Sequence, residues 1–357
     1  MKMLRGAALT AGVLLAAGQL LPVSASAHHE PSYDWELTPT GNTARFRGLA
    51  AVGEDVAWVG GSAGQVLRTT NGGTTWQNVS PPGAAELQFR DVEAFDAHRA
   101  VILAIGPGEA SRVYRTENGG QTWTETFRNT DPNAFYDCFD FFSDNKRGLA
   151  LSDPVDGKFR ILATDDGGRS WTVQPNAGMP AALPGEFAFA ASGTCLVTGP
   201  GRTAWFATGG GDRPRVFRTT DGGRSWTVTD SPMASGEAAG IFSLAFRDAR
   251  HGVAVGGDFL LPDAANDAAS VTRDGGRTWT LVPEDQAPGG YRSGSAFVPR
   301  TARTVIAVGP SGSDVSRDGG WSWEEFDTGS FDSVECARGA CWASGEQGRV
   351  AKLVRSR

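Results

Sequence analysis

The chain is poor in several things, and each shortage removes a class of protein. Of its 357 residues only four are Lys, at positions 2, 146, 158 and 352, and charged residues make up a fifth of the whole. The net charge of −7 leaves no basic stripe to neutralise phosphates, which argues against nucleic-acid or anionic-membrane binding. Four His are too few and too scattered for a usual transition-metal site. There is no Gly-x-Gly-x-x-Gly between a strand and a helix, no Cys-x-x-Cys and no haem-attachment motif, so an oxidoreductase reading has no support in the sequence. No apolar run beyond residue 21 is long enough to cross a bilayer.

What is abundant is Gly, with 48 residues, beside 19 Pro and 10% aromatics. That excludes a helical bundle, and the apolar content of 40% excludes disorder. A turn-dense, all-β chain remains. Residues 1–27 read as a secretory signal. Lys2 and Arg5 precede the run Ala7 to Leu21, and Ala25-Ser26-Ala27 is a small-x-small cleavage pattern. The expected mature chain begins near His28, with a short segment 28–33 before a domain over 34–357, exported and without stable membrane insertion.

Six octapeptides align without gaps: Thr69 to Trp76, Thr116 to Trp123, Thr164 to Trp171, Thr219 to Trp226, Thr272 to Trp279 and Ser316 to Trp323. Their common form is [Ser/Thr]-x-[Asp/Asn]-Gly-Gly-x-[Ser/Thr]-Trp. Asn-Gly or Asp-Gly supplies the positive φ of a tight corner, the side-chain oxygen accepts turn N–H groups, and Trp opens the next strand with a large apolar surface. The structural residues predicted in these turns are Asn71, Asn118, Asp166, Asp221, Asp274 and Asp318, with Trp76, Trp123, Trp171, Trp226, Trp279 and Trp323. The pattern resembles the Asp-box, or BNR repeat, of sialidase-type β-propellers.

Successive box Trp residues lie 47, 48, 55, 53 and 44 positions apart, which suits a four-stranded antiparallel blade. The chain ends complement each other. Tyr33-Asp-Trp-Glu-Leu-Thr38 is a Trp strand without a box, and Cys341 to Leu353 begins a blade that stops before one. The count is therefore seven blades of four strands, the last closed by the N-terminal strand. Cys336 and Cys341 flank a short turn and are expected to form a disulfide across it, whereas nothing local fixes a pairing for Cys138 and Cys195.

The mature chain also resembles the seven-bladed BNR-like propellers related to the plant photosystem II stability/assembly factor. Phrases such as Leu151-Ser-Asp-Pro-Val-Asp-Gly-Lys-Phe159 and Gly240-Ile-Phe-Ser-Leu-Ala-Phe246 match the secreted bacterial branch, whose members are often loosely labelled oxidoreductase or glycosyl hydrolase. The resemblance implies a binding or assembly role.

Blade geometry places the starts of the inner strands and the ends of the second strands at one mouth of a central channel, opposite the boxes. That mouth is expected to present Arg47, Arg90, Asp91, Tyr136, Asp137, Glu186, Ser243, Arg292, Ser293 and Asp332, joined by Asp153 and Asp258. Asp137, Glu186 and Arg292 are expected to stand exposed there, so that their Ala variants fold normally. The ligand is a protein, a carbohydrate or a small polar molecule, and the chain is read as a monomer. The alternative is a glycoside hydrolase at the same mouth. A sialidase would use Arg47, Arg90 and Arg292 on a carboxylate, Tyr136 or Tyr291 with Glu186, and Asp137 as acid; Asp137, Glu186 and Tyr136 are the catalytic candidates. Its Phe-Arg-Ile-Pro motif is missing, Phe159-Arg-Ile-Leu162 falling on an ordinary third strand. No cofactor or metal is predicted. His98 and His251 read as solvated loop residues, and His28-His29 could bind copper through a processed terminus. The acidic loop Asp258, Asp263, Asn266 and Asp267 matches no calcium-loop spacing.

Overall fold

The computed structural model describes residues 31–356. The segment 1–27 assigned to a signal lies outside the described residues, as do residues 28–30. Among the described residues every regular element is a strand apart from three single-turn 3₁₀ segments. The strands form seven four-stranded antiparallel sheets. Six of them run in simple chain order, beginning with Phe46–Ala51, Ala57–Gly61, Val66–Thr69 and Gln77–Asn78 as the first blade. The seventh takes Ser333–Ala337, Ala340–Ser344 and Val350–Ser356 from the C-terminus and Ser32–Leu37 from the N-terminus. Trp35 opposes Leu353 in that pairing. The ring is the seven-bladed β-propeller expected from the repeat, closed at the expected seam.

Alternation explains how the blades stack. In Ala100–Ile105 every residue is buried, because both faces of the sheet are covered. Ala100, Ile102 and Ala104 pack against the first blade with Trp58 and Phe89, while Val101 and Leu103 pack against the third with Phe139 and Leu162. The same division recurs around the ring, so seven apolar layers lie between neighbouring blades rather than around one centre. An eighth, smaller cluster joins Phe189, Phe242 and Tyr291 at the end where the inner strands begin.

The octapeptides build the third-to-fourth-strand turns. In the first, the Thr69 hydroxyl donates to Asn71 Oδ1 at 3.0 Å and accepts the N–H of Gly73 at 3.0 Å, while Asn71 Oδ1 accepts the N–H of Thr75 at 3.0 Å. Gly72 and Gly73 have φ of 70° and 85°, a corner that side chains with a Cβ adopt poorly. The fourth turn repeats the bonds, from Thr219 to Asp221 at 2.8 Å and from Ser225 N–H to Asp221 at 3.0 Å. The Trp that follows enters an interblade layer. Trp123 stands edge-on to Trp58 with centroids 6.3 Å apart and donates to the Val79 carbonyl at 2.7 Å.

Both cysteine pairs are bridged. Cys336 and Cys341 are direct cross-strand partners, as the spacing indicated. Cys138 and Cys195 join across 57 residues and tie the inner strand of the third blade to the chain entering the fourth.

The turn chemistry predicts unequal costs at two neighbouring positions. Trp226 is buried, so Trp226→Ala should destabilise by about 3–5 kcal/mol, whereas Asp221→Ala removes only turn bonds and should cost about 1 kcal/mol. Chemical denaturation of the two variants measures the order; equal and negligible losses would remove the octapeptide from the account of stability.

Candidate functional site

At the end of the ring where the inner strands begin, charged side chains from separate blades converge. Asp332 accepts two bonds from Arg45, at 2.8 and 2.6 Å, and lies 3.4 Å from Arg47. Arg90 donates to the carbonyl of Ala190 at 2.9 Å. Burial, with Arg47 and Arg45 nearby, pushes the Arg90 guanidinium down to about 10. Asp137 is buried, and burial together with the Asp153 carboxyl holds it well above the usual range. Asp153 itself is pushed up to about 6 by burial, against a bond from the Ala188 N–H at 2.8 Å. Tyr136 is buried against Phe127, and its phenol is pushed up to about 12 by desolvation.

All three residues expected to stand exposed, Asp137, Glu186 and Arg292, are buried instead, and the last two are locked in ion pairs. Glu186 accepts bonds from Arg215 Nε at 2.8 Å, Thr208 Oγ1 at 2.7 Å and Leu183 N–H at 2.8 Å, and Arg215 closes a second contact through Nη2. Arg292 is completely buried, paired with Asp314 and bonded to Ser311 Oγ and the Tyr291 carbonyl, both at 3.0 Å. Low dielectric makes a buried charge costly unless it is paired, and a partner on the third strand of the same blade answers that cost. Neither group is available to a ligand in this arrangement, and Arg292 does not join Arg47 and Arg90 in an open clamp. The remaining candidates are also engaged with the fold. Ser243 links Thr194 to Ser295 at 2.7 and 2.8 Å, Ser293 donates to the Asp332 carbonyl at 2.7 Å, and Asp258 accepts the N–H of Leu260 at 2.9 Å.

The chain between the third and fourth blades explains why this end is crowded. The inner strand of the fourth blade is only Leu196–Thr198, because beyond the bridge of Phe187 to Gly209 residues 188–194 leave the blade pattern and reach into the channel. Phe189 stacks on Phe242 at 3.7 Å, Ala190 meets Arg90 of the second blade, and Gly193 lies against the carboxyl of Asp91. Gly193 has φ of 82°, and a Cβ there would run into that carboxyl.

Beneath this strap is a cavity of about 280 Å³, lined by inner strands of all seven blades and by Ser192, Gly193 and Thr194. Its lining runs from the start of some inner strands, as at Leu196 and Ser333, to the end of others, as at Phe246 and Phe297, so it occupies the middle of the channel. Four carboxyls line it: Asp91, Glu93, Asp140 and Glu335. No Lys, Arg or His among the described residues does so. Asp140 accepts Phe141 and Thr198 N–H at 2.6 Å each, Glu335 accepts Ala51 N–H at 2.8 Å, and Asp91 accepts Phe139 N–H at 2.7 Å. Burial pushes Asp140 up to about 6 and Glu335 up to about 8, the latter with help from Asp140 and Asp91. Asp91 and Glu93 are held well above the ordinary range, by burial first and by the neighbouring carboxyls next. Among the described residues no group of three or more His, Cys, Asp or Glu is arranged to hold a metal ion.

Of these four only Asp91 belonged to the sequence expectation. The signal for Glu93 was the strand period: it follows Asp91 by two on one strand, so it points to the face that Asp91 lines.

The class is set by the topology: a seven-bladed β-propeller of four-stranded antiparallel blades. No protein-family model and no curated protein matches the chain. Solved structures do. A structure of YCF48 bound to D1 peptide superposes with a TM-score of 0.65 at 16% identity, covering 93% of this chain and 99% of that one. YCF48 from Cyanidioschyzon merolae gives 0.62 at 16%, over 89% and 98%. The WD40 propeller domain of Doa1 gives 0.61 at 12%, over 91% and 98%. At these identities the likeness is one of fold.

Two outcomes follow from the site. Removing one member of a buried ion pair leaves the other uncompensated, so Glu186→Ala should lose about 3–5 kcal/mol on denaturant unfolding, and an unchanged midpoint would show that the Arg215 clamp contributes nothing. The channel carboxyls have folded values above their unfolded ones. The folded state therefore holds more protons, and their stabilising contribution is lost as pH rises. Thermal midpoints should fall from pH 6 to pH 9, through the ranges of Asp140 and Glu335, and Glu335→Gln should flatten the upper part. A midpoint that rises across that window contradicts the assignment.

Proposed function

We propose that this chain is an exported binding or assembly-factor propeller that holds a polypeptide partner on the face where the inner strands begin. The observation that carries the reading is the loop tip Phe259-Leu260-Leu261 on that face, whose side chains are 45, 68 and 58% exposed. The tip is fixed, not frayed. Phe259 N–H donates to the Ala238 carbonyl at 3.1 Å, Leu261 N–H to the Asp258 carbonyl at 3.0 Å, and Tyr291 N–H to the Pro262 carbonyl at 2.9 Å. Phe259 also leans edge-on toward Phe242, part of the aromatic cluster around Tyr291. Three consecutive apolar side chains held outward by an ordered backbone form an anchor with little entropy left to lose on binding. The YCF48 structure that carries D1 peptide supports a peptide or protein as the kind of partner.

On the same reading the six octapeptides are Asp-boxes of the BNR type, residues 1–27 are a signal peptide, and the two disulfides form in an oxidising compartment after export. Capture from an envelope extract of the source cell tests the face. Leu260→Ser with Leu261→Ser should leave the melting temperature close to wild type and reduce recovery of the partner at least tenfold. Equal recovery would contradict this face, and turnover of a fluorogenic glycoside by the wild-type protein would favour the glycoside hydrolase reading in its place.

A further inference from the structure

The strap of residues 187–194 has an unusual footing. It carries no charged side chain of its own, and it crosses from the fourth blade to the second. Its outer side is pinned through Ala190 to Arg90, with Arg47 and Asp137 acting on that guanidinium, and through Ala188 to Asp153. Its inner side rests on Asp91 at Gly193. Facing Asp91 are Asp140 from the third blade, Glu93 from its own strand and Glu335 from the seventh, and among the described residues no cationic one lines the cavity they share.

We propose that the strap is a proton-controlled gate of the channel: protonated carboxyls of Asp91, Glu93, Asp140 and Glu335 let it lie closed, and their ionisation lifts it and joins the two mouths. The physical reason is the missing counter-charge. Four neutral carboxyls tolerate a dry roof, because each has little charge to hydrate. Successive ionisation places like charges from three blades in one small cavity, and water becomes the available means of stabilising them. Inner strands locked between apolar layers cannot separate to admit it. The strap is held by its bonds to Arg90, Asp153 and Gly209 and by the stacking of Phe189 on Phe242, not by a continuous strand ladder, so it yields first. Asp153 works in the opposite direction, since its ionisation strengthens the bond from Ala188 N–H. Asp153 and Asp140 both ionise near pH 6, so release awaits the further charge that Glu335 adds near pH 8.

Hydrogen–deuterium exchange on the intact protein tests this without needing a ligand. After correction for the intrinsic rate, protection of the 187–194 amides and of Leu244 N–H, which donates to the Thr194 carbonyl, should fall at least tenfold between pH 6 and pH 9. Protection of the inner strand Phe46–Ala51 should persist. Asp91→Asn combined with Glu335→Gln should hold the strap closed at pH 9, and Gly193→Ala should open it already at pH 6. The wild-type profile decides the matter should a variant fail to fold. Protection that is flat with pH, that vanishes from strap and inner strands together, or that is lost equally in the neutralised variant overturns the gate.

Discussion

A propeller has no single core, so its stability depends on the ring being closed. Each blade buries one face against its predecessor and the other against its successor, and an open ring would leave two apolar faces and a bare sheet edge in water. Here closure rests on the antiparallel pairing of Ser32–Leu37 with Val350–Ser356. Trp35 is the centre of it. Its ring packs against Phe331 and Phe326 at 5.4 and 5.9 Å, and its indole N–H donates to Ser313 in the sixth blade at 3.0 Å. One side chain thus joins the N-terminal strand, the seventh blade and the sixth. Arg317 adds a bond to the Pro31 carbonyl at 3.1 Å.

Closure also sets the electrostatics of the channel. Seven inner strands crowd their polar side chains into a narrow bore, where charge must be paired, hydrogen-bonded or neutralised. All three solutions occur. Glu186 with Arg215 and Arg292 with Asp314 are paired; Asp332 gathers Arg45 and Arg47; the four carboxyls of the cavity are pushed toward the neutral form by burial and by one another. Ion pairs gather at the mouth with the strap, and the acid groups lie deeper, in a cavity that no cationic residue among the described residues lines.

Local features were legible in the sequence because they are encoded locally. An Asp-Gly-Gly corner with its Ser or Thr is complete within eight residues, the Cys336–Cys341 hairpin within six, and the complementary chain ends can be compared by eye. The partner of Glu186 is 29 residues away and that of Arg292 is 22, and only the register of adjacent strands reveals them. The Cys138–Cys195 bridge escaped for the same reason. The strap was hidden differently. Phe187-Ala-Phe-Ala-Ala has the composition of a strand, yet only Phe187 bridges the fourth blade, and Phe189 and Ala190 meet Phe242 and Arg90 across the channel.

The measurement that bears most directly on this account is the thermal unfolding of a chain lacking residues 28–40, followed by light scattering and size-exclusion chromatography. Removing Tyr33 and Trp35, both buried, with an entire edge strand should lower the melting temperature by more than about 10 °C and produce association through the exposed seventh blade. A truncated chain that melts at the wild-type temperature with unchanged hydrodynamic size would mean that the ring does not depend on its N-terminal strand.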